Sequence, residues 1–320
     1  MILVIGGGVA GASVARFLAK KYDVTLIQDK IWEKPCGGGV KVKVFDEFGL
    51  DKGLIRHLID EVEIFYKKNK ISIPLKGKNL AIIKRDEFDA YLREIAKESG
   101  VRIVYGKFLG IESGRAVVRV GDKKEKFDYY ILIGADGVNS SVRKAIGLLD
   151  VPKVLTLYAK VNLKVNNCKF FFNEELGGDY YGWAFPYNNL AHIGSEKRSF
   201  ENLCKYLGVS PKPRGYYIPA WQKGIEICKD NVYFVGDAAA QVMPMTFEGI
   251  YYSMKSAKIL ANSIINGLDY KKEWERVFLK DFAFMKFLET LNKTSLRGVL
   301  LNAHKLNLIK ELTISSWLRA

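Results

Sequence analysis

Long apolar runs are missing from this 320-residue chain. No stretch approaches the ~18 consecutive apolar residues that a membrane-spanning helix needs. Histidine is scarce, with only His57, His192 and His304. Cysteine is scarce too: Cys36, Cys168, Cys204 and Cys228 stand far apart in unlike contexts. No metal-ligand spacing is present, so no metal site is expected, and four scattered thiols in a long chain argue against a disulfide framework. Internal repeats and low-complexity segments are absent. What remains is an ordinary globular composition, 48% hydrophobic and 27% charged. The first strand pattern begins at Met1, which leaves no room for a signal or transit peptide, so the expected location is cytoplasmic.

Negative charge is the minority, with 35 Asp and Glu against 50 Lys and Arg and a net charge of +15. The basic residues are spread along the chain in short runs such as Lys67-Lys68 and Lys123-Lys124. No nucleic-acid motif accompanies them, so no nucleic-acid partner is expected. Two readings stay open. One is a lysine-rich solvated surface. The other is attraction to an anionic membrane surface or a phosphate-bearing ligand.

What is present starts at once. Residues 1–5 form a short apolar run, the pattern of a buried parallel strand, followed by Gly6-Gly7-Gly8-Val9-Ala10-Gly11. Residues 12–20 are helical in character and 24–27 read as a second strand. Strand, glycine turn, helix and strand make a dinucleotide-binding unit. Gly6 permits the tight turn, Gly8 lets the backbone approach a pyrophosphate, and Gly11 lets the helix pack close to the strand. The helix N-terminus offers free N–H groups to phosphates. An acidic residue usually closes the second strand and binds a ribose hydroxyl. Here Gln28 stands in that place, with Asp29 next.

Lys34-Pro35-Cys36-Gly37-Gly38-Gly39-Val40 follows. A cysteine before three glycines suits neither helix nor strand. It is either a loop held close to a bound cofactor, with Cys36 able to touch the reactive part, or a glycine-rich surface turn.

Beyond it, 85–97 reads as a helix, and 103–105 and 115–120 as strands. A buried strand over 129–133 ends in Gly134-Ala135-Asp136-Gly137. Aromatic, alternating patterns over 155–163 and 169–193 predict an antiparallel sheet. A last buried strand over 231–235 ends in Gly236-Asp237, and 248–265 is helical. At Asp237 the carboxylate either accepts hydrogen bonds from sugar-like hydroxyls or caps a helix. The final ~50 residues alternate basic and apolar residues at helical spacing, which predicts two or three amphipathic helices. Packing against the body of the protein and contact with a membrane both fit that segment, which carries Trp274, Phe278, Phe282, Phe284 and Phe287.

These fragments resemble the p-hydroxybenzoate-hydroxylase-like FAD enzymes over residues 1 to about 265. Gly6, Gly8 and Gly11 match the ADP-binding turn. Arg85, in Lys84-Arg85-Asp86-Glu87-Phe88-Asp89, resembles the family arginine that opens a helix near the FAD. Asp136 and Gly137, within Gly134 to Arg143, resemble the "DG" motif. Gly236-Asp237 resembles the "GD" motif, whose aspartate binds the ribityl chain. Gly249 and Ile250, after Pro244, open a helix whose N–H groups suit negative charge on a reduced flavin. Within this group, Pro35-Cys36-Gly37-Gly38-Gly39 and Tyr181-Gly182-Trp183-Ala184-Phe185-Pro186, a YxWxFP pattern, are similar to the geranylgeranyl reductases. That family saturates the isoprenoid chains of archaeal membrane lipids or of chlorophyll precursors. The resemblance implies that the cysteine–glycine loop, including Gly37, Gly38 and Gly39, lies near the isoalloxazine ring. It also implies that the aromatic segment lines the substrate cavity. Phe247 departs from the group, which often has glycine there, and the chain is shorter than many of these reductases at its C-terminal end.

The implied activity is reduction of isoprenoid C=C bonds by hydride transfer from reduced FAD. An isolated alkene has no carbonyl to polarise, so a proton source must stand close to the second carbon. Cys36 and Tyr181 are the candidate catalytic residues, since thiols and phenols ordinarily hold their protons at neutral pH. Tyr181, Trp183 and Phe185 alternate along a strand, so their rings share one face, and Pro186 follows; a flat aromatic wall suits a long hydrocarbon, as it also suits an ordinary core strand. Flavin monooxygenases and halogenases are the alternative, because halogenases of this superfamily carry a similar WxWxIP segment; the Cys36 loop argues against them. A non-catalytic isoprenoid carrier would not need all three flavin motifs. No second dinucleotide fingerprint exists, so electrons are expected from transiently docked NAD(P)H or from ferredoxin, whose acidic surface would suit the basic one here.

The expected fold is α/β. A Rossmann-like FAD-binding domain (1–61, 80–148 and 228–266) is interleaved with an antiparallel-sheet substrate domain (62–79 and 149–227), and a helical segment (267–320) follows.

Overall fold

A computed structural model describes residues 1–31, 33–75, 77, 79–294 and 296–299. The chain divides into two compact units, each built from three separated segments. The first comprises Met1–Glu33, Asp86–Lys153 and Ile218–Phe284; the second comprises Lys34–Arg85, Val154–Tyr217 and Met285–Ala320. The interleaving runs deeper than the sequence suggests. Residues 34–61 and 80–85, expected with the FAD-binding domain, fall in the second unit, because they form a small sheet of their own from Gly39–Lys41, Leu80–Ile83 and Ile55–Ile59.

The first unit is built on a six-stranded sheet in the order Cys228–Lys229, Val232–Phe234, Ile131–Gly134, Ile2–Ile5, Val24–Gln28, Arg102–Tyr105. Five strands are parallel and Cys228–Lys229 is an antiparallel edge. Every residue of Ile2–Ile5 is buried, as expected where both faces of a parallel sheet are covered. The helix Val9–Leu18 follows the first glycine turn and packs against Ile250–Asn266. A three-stranded antiparallel sheet, Lys107–Glu112, Arg115–Val120 and Lys123–Phe127, completes the unit with the helix that begins at Arg85 and ends at Glu98.

The long helix Tyr270–Asn292 starts in this unit. Its Trp274, Phe278 and Phe282 are buried, and Tyr252 meets both phenylalanine rings edge-on, so this part of the amphipathic segment packs on the body of the protein. The helix Tyr270–Asn292 is followed, after a break, by helical residues at 297–299; the remainder of the segment lies outside the described residues.

The second unit is a seven-stranded sheet in the order Arg214–Pro219, Lys153–Val161, Leu190–Glu196, Gly182–Tyr187, Cys168–Phe171, Glu61–Tyr66, Asn69–Pro74. It is mixed rather than wholly antiparallel: Cys168–Phe171 runs parallel to Glu61–Tyr66, a strand supplied from far back in the chain. One face carries Ala159, Ala184 and Ile193 and packs on Phe200 and Leu203 of the helix Phe200–Leu207. Register places Trp183 opposite Gly194 and Phe170, and Phe185 opposite His192, so these side chains share the other face.

Arg297 ties the loop before Tyr181 within this unit. Its guanidinium donates to the carbonyl oxygens of Phe172, Gly178 and Asp179 and, through Nε, to that of Asn292. A planar five-donor fork is what several converging peptide oxygens require. Arg297→Ala is expected to cost about 3 kcal/mol in urea unfolding, because buried carbonyls lose their donors, and Arg297→Lys is expected to recover little of it.

Candidate functional site

The predicted residues fall into two groups, one in each unit. In the first unit the glycine turn is as close-packed as its role demands. A Cβ at Gly11 would lie 1.7 Å from the Gly6 oxygen, and one at Gly6 would lie 2.4 Å from the Ala135 oxygen. Beside Gly8 the space is open, with no described atom within 4 Å of a Cβ built there. Tight packing on both sides of an open position forms a cradle that a pyrophosphate fits.

Gln28 makes two hydrogen bonds at the place where an acid usually stands. Its Oε1 accepts from the Gly7 N–H at 2.6 Å, and its Nε2 donates to the Lys30 oxygen at 2.6 Å. The amide therefore braces the glycine turn. The strand ends at Gln28, leaving Asp29 just beyond it and exposed. Arg93 was not foreseen: it is buried, and its Nη1 donates to the Gly7 oxygen at 3.1 Å. It lies eight residues along the helix from Arg85, which opens that helix and is also buried. Eight residues are a little over two helical turns, so the two side chains lie within about a quarter turn of each other, which was the available signal.

Asp136 accepts from the N–H groups of Ser141 and Val142 through Oδ2, at 2.6 and 3.2 Å, while its buried Oδ1 has no hydrogen-bond partner. Burial pushes the carboxyl up, against hydrogen bonds that hold it down. An orphaned carboxylate oxygen beside Gly137 is free to receive a ligand hydroxyl. Arg143 of the same motif spans further. Nη1 donates to the oxygens of Glu226 and Ala238, and the guanidinium stacks over Phe234 at 4.9 Å. Burial lowers its pKa, while carboxylates at Glu226, Asp150 and Asp136 oppose the shift. Arg143 thus links the Asp136-Gly137 turn to the Gly236-Asp237 turn.

Gly236 and Asp237 begin a short 3-10 turn, Gly236–Ala239, in which no side chain caps the N-terminus. A Cβ at Gly236 would lie 2.6 Å from Ala10 Cβ, so the first helix crosses directly over this turn. Gln241 accepts from the Gly236 N–H at 2.8 Å and donates to the Tyr270 hydroxyl at 2.7 Å. The next loop closes on itself through Phe247 N–H to Met243 O and Met243 N–H to Glu248 O. Phe247 takes φ +53°, in the left-handed region that favours glycine. Gly249 and Ile250 then open the helix Ile250–Asn266, with its positive end at this loop.

In the second unit Cys36 is half-buried and its Sγ accepts from the Gly38 N–H at 3.3 Å. Burial pushes the other three thiols up. A Cβ at Gly37 would lie 2.6 Å from the Phe185 ring and 3.5 Å from Trp183 Nε1. The cysteine–glycine loop therefore rests on the aromatic face of the sheet. Tyr181, Trp183 and Phe185 are all buried, and Phe170 meets Tyr181 and Phe185 edge-on at 5.2 and 5.1 Å. Pro186 continues the strand and pairs with Ala191. Trp183 Nε1 is buried without a hydrogen-bond partner. His192, outside every sequence-based expectation except the count of histidines, lies on the same face and stacks on Tyr187 at 3.8 Å. No cluster of metal-ligating side chains exists among the described residues.

The parallel sheet, glycine cradle and paired aspartate turns define a dinucleotide-binding flavoprotein. Residues 1–196 match the FAD binding domain family, and the chain belongs to that family. It binds FAD. The chain is 27% identical to the chloroplastic geranylgeranyl diphosphate reductase of Nicotiana tabacum, over 92% of this chain and 71% of that protein. It is 24% identical to the digeranylgeranylglycerophospholipid reductase of Methanocaldococcus jannaschii, over 88% of this chain and 80% of that protein. Among solved structures, the geranylgeranyl bacteriochlorophyll reductase-like protein of Thermoplasma acidophilum superposes with a TM-score of 0.79 at 21% identity, covering 92% of this chain and 87% of that one. The flavin-dependent brominase Bmp2 shares the fold with a TM-score of 0.68 at 15% identity.

Proposed function

We propose that this protein is an FAD-dependent reductase that saturates C=C bonds in isoprenoid chains, with archaeal-type membrane lipids or their precursors as substrates. The observation that carries this reading is the seating of the Cys36-Gly37-Gly38 loop on the aromatic face formed by Trp183 and Phe185. A halogenase would share the aromatic strand but has no use for a thiol loop placed on it. Reduced FAD supplies the hydride. The residues of this chain supply the remainder. The aromatic face holds the hydrocarbon flat and excludes water. Cys36 or Tyr181 delivers the proton to the second alkene carbon, so each cycle adds one hydride and one proton across one double bond. Gly6, Gly8, Gly11, Asp136, Gly137, Gly236, Asp237, Gly249 and Ile250 carry the cofactor, with Arg93 on the Gly7 oxygen and Arg85 a further cofactor ligand.

Two finer points belong to the same proposal. The net charge of +15 suits an acidic electron carrier such as ferredoxin, with NAD(P)H as the other donor. Phe284 and Phe287, more than half exposed and one turn apart on the helix Tyr270–Asn292, would enter a membrane surface from which a prenyl lipid is drawn. No helix among the described residues is long and apolar enough to cross a membrane. The test is anaerobic turnover of dithionite-reduced protein with digeranylgeranylated glycerolipid, read by mass spectrometry. Successive two-hydrogen mass gains are expected. Absence of any gain across several prenyl substrates, or oxygen-dependent halogenation or hydroxylation of an aromatic, overturns the reading.

A further inference from the structure

His192 is buried at 3% exposure, and neither ring nitrogen makes a hydrogen bond. A polar ring so placed needs an explanation. Aromatic rings flank it. Tyr187 stacks on one side of the ring, and Tyr158 meets it edge-on at 5.2 Å. Lys160 stands opposite in register, but its ammonium lies over the Tyr187 ring at 4.9 Å and has no lone pair to offer. The acceptors near the ring are the peptide oxygens of Cys36 and Gly37, which favour a proton on it. Burial, with the Lys160 charge adding to it, pushes the imidazole down to about 4, so the ring is neutral at pH 7 and keeps one N–H.

We infer that His192 is a positioning residue for the Cys36 loop: its ring N–H closes on the peptide oxygen of Cys36 or Gly37 and fixes where the Cys36 thiol sits. The same loop is held from within by the Gly38 N–H on Cys36 Sγ, and at its far end by the Ile83 N–H on the Gly38 oxygen at 2.9 Å. His192 adds the anchor from the sheet. The purpose of this anchor rests on the reductase reading, in which Cys36 handles a proton, but its existence is tested without turnover.

The test is alkylation of the full-length protein by iodoacetamide, followed peptide by peptide so that Cys36 is read apart from Cys168, Cys204 and Cys228. His192→Phe removes the N–H while keeping a ring in the stack. It is expected to raise the Cys36 rate about fivefold, the scale of one lost hydrogen bond, with the other three thiols unchanged. His192→Asn keeps a short N–H donor and is expected to stay within about twofold of the unsubstituted protein. Equal Cys36 rates in His192→Phe and the unsubstituted protein, or equal rises in both variants, overturn the inference. A measurement on the unsubstituted protein stands even if His192→Phe does not fold. Nitrogen-15 NMR at pH 6 should show His192 neutral, in one tautomer, with a slowly exchanging N–H; a charged or rapidly exchanging ring overturns it. If the unsubstituted protein reduces no prenyl lipid, the reductase reading falls while the thiol result keeps its meaning.

Discussion

Gly8→Ala is expected to leave the protein folded and strip it of FAD, whereas Gly11→Ala is expected to break the fold of the nucleotide turn itself. The two glycines belong to one motif but face different neighbours. At Gly11 a methyl group would stand 1.7 Å from the Gly6 oxygen, a backbone atom that cannot swing away. Relief requires the first helix to shift from the first strand, at about 3 kcal/mol or more. At Gly8 the backbone is extended (φ −77°) and the space beside it open, so alanine fits the unliganded chain. Its cost there is limited to a poorer helix N-cap, about 1 kcal/mol or less. In the proposed site that open space is where the pyrophosphate approaches, and a methyl group in it would weaken FAD binding by about a hundredfold or more. The measurements are thermal melts and flavin absorbance after reconstitution. A yellow, normally folded Gly11→Ala protein would contradict the packing argument. A Gly8→Ala protein that keeps its FAD would contradict the placement of the phosphates.

The nucleotide-binding half was legible because its signals are local. Apolar strands ending in glycine turns at 6, 134 and 236 sit where the sequence places them, and the helices Val9–Leu18, Arg85–Glu98 and Ile250–Asn266 match their expected spans to within a few residues. Two things were not legible. The first is how the segments sort into compact units. Gly39–Lys41 pairs with Leu80–Ile83, about forty residues away, and Cys168–Phe171 runs parallel to Glu61–Tyr66, about a hundred away; no local periodicity encodes such partners. The second is what individual polar residues do. Gln28 reads only as the residue in the usual acid's place, and nothing in the sequence shows that its amide also braces Gly7. Arg143 read as the end of a motif, and it joins two turns. His192 carried no pattern at all, because its significance lies in being opposite Phe185 in register and beneath a loop from a distant part of the chain.

The three consecutive glycines after Cys36 have three different reasons to be there, and substituting each in turn should separate them. Gly39 is expected to accept alanine with little change, since a Cβ there meets Phe185 and Leu80 only at ordinary contact distances of 3.6 and 3.8 Å. Gly38 is expected to accept nothing: it takes φ +78°, and a Cβ would meet the Ile83 oxygen at 2.4 Å, so strain and a backbone clash combine. Gly37 is the informative case. Its backbone does not take positive φ, and the obstacle to a Cβ is a side chain, the Phe185 ring at 2.6 and 2.9 Å. That ring is held edge-on against Phe170, so it cannot simply turn aside. Gly37→Ala should therefore lift the Cys36 loop off the aromatic face at a cost of about 2 kcal/mol, which in prenyl reduction corresponds to a rate loss of about thirtyfold. Because the obstacle is removable, Phe185→Val in the same protein should recover much of that loss, although Phe185→Val alone lowers turnover by thinning the aromatic wall. The sign of this coupling is the decisive quantity. A double variant worse than either single one would mean that Gly37 and Phe185 act separately, and that contact between the thiol loop and the aromatic strand is not what turnover depends on.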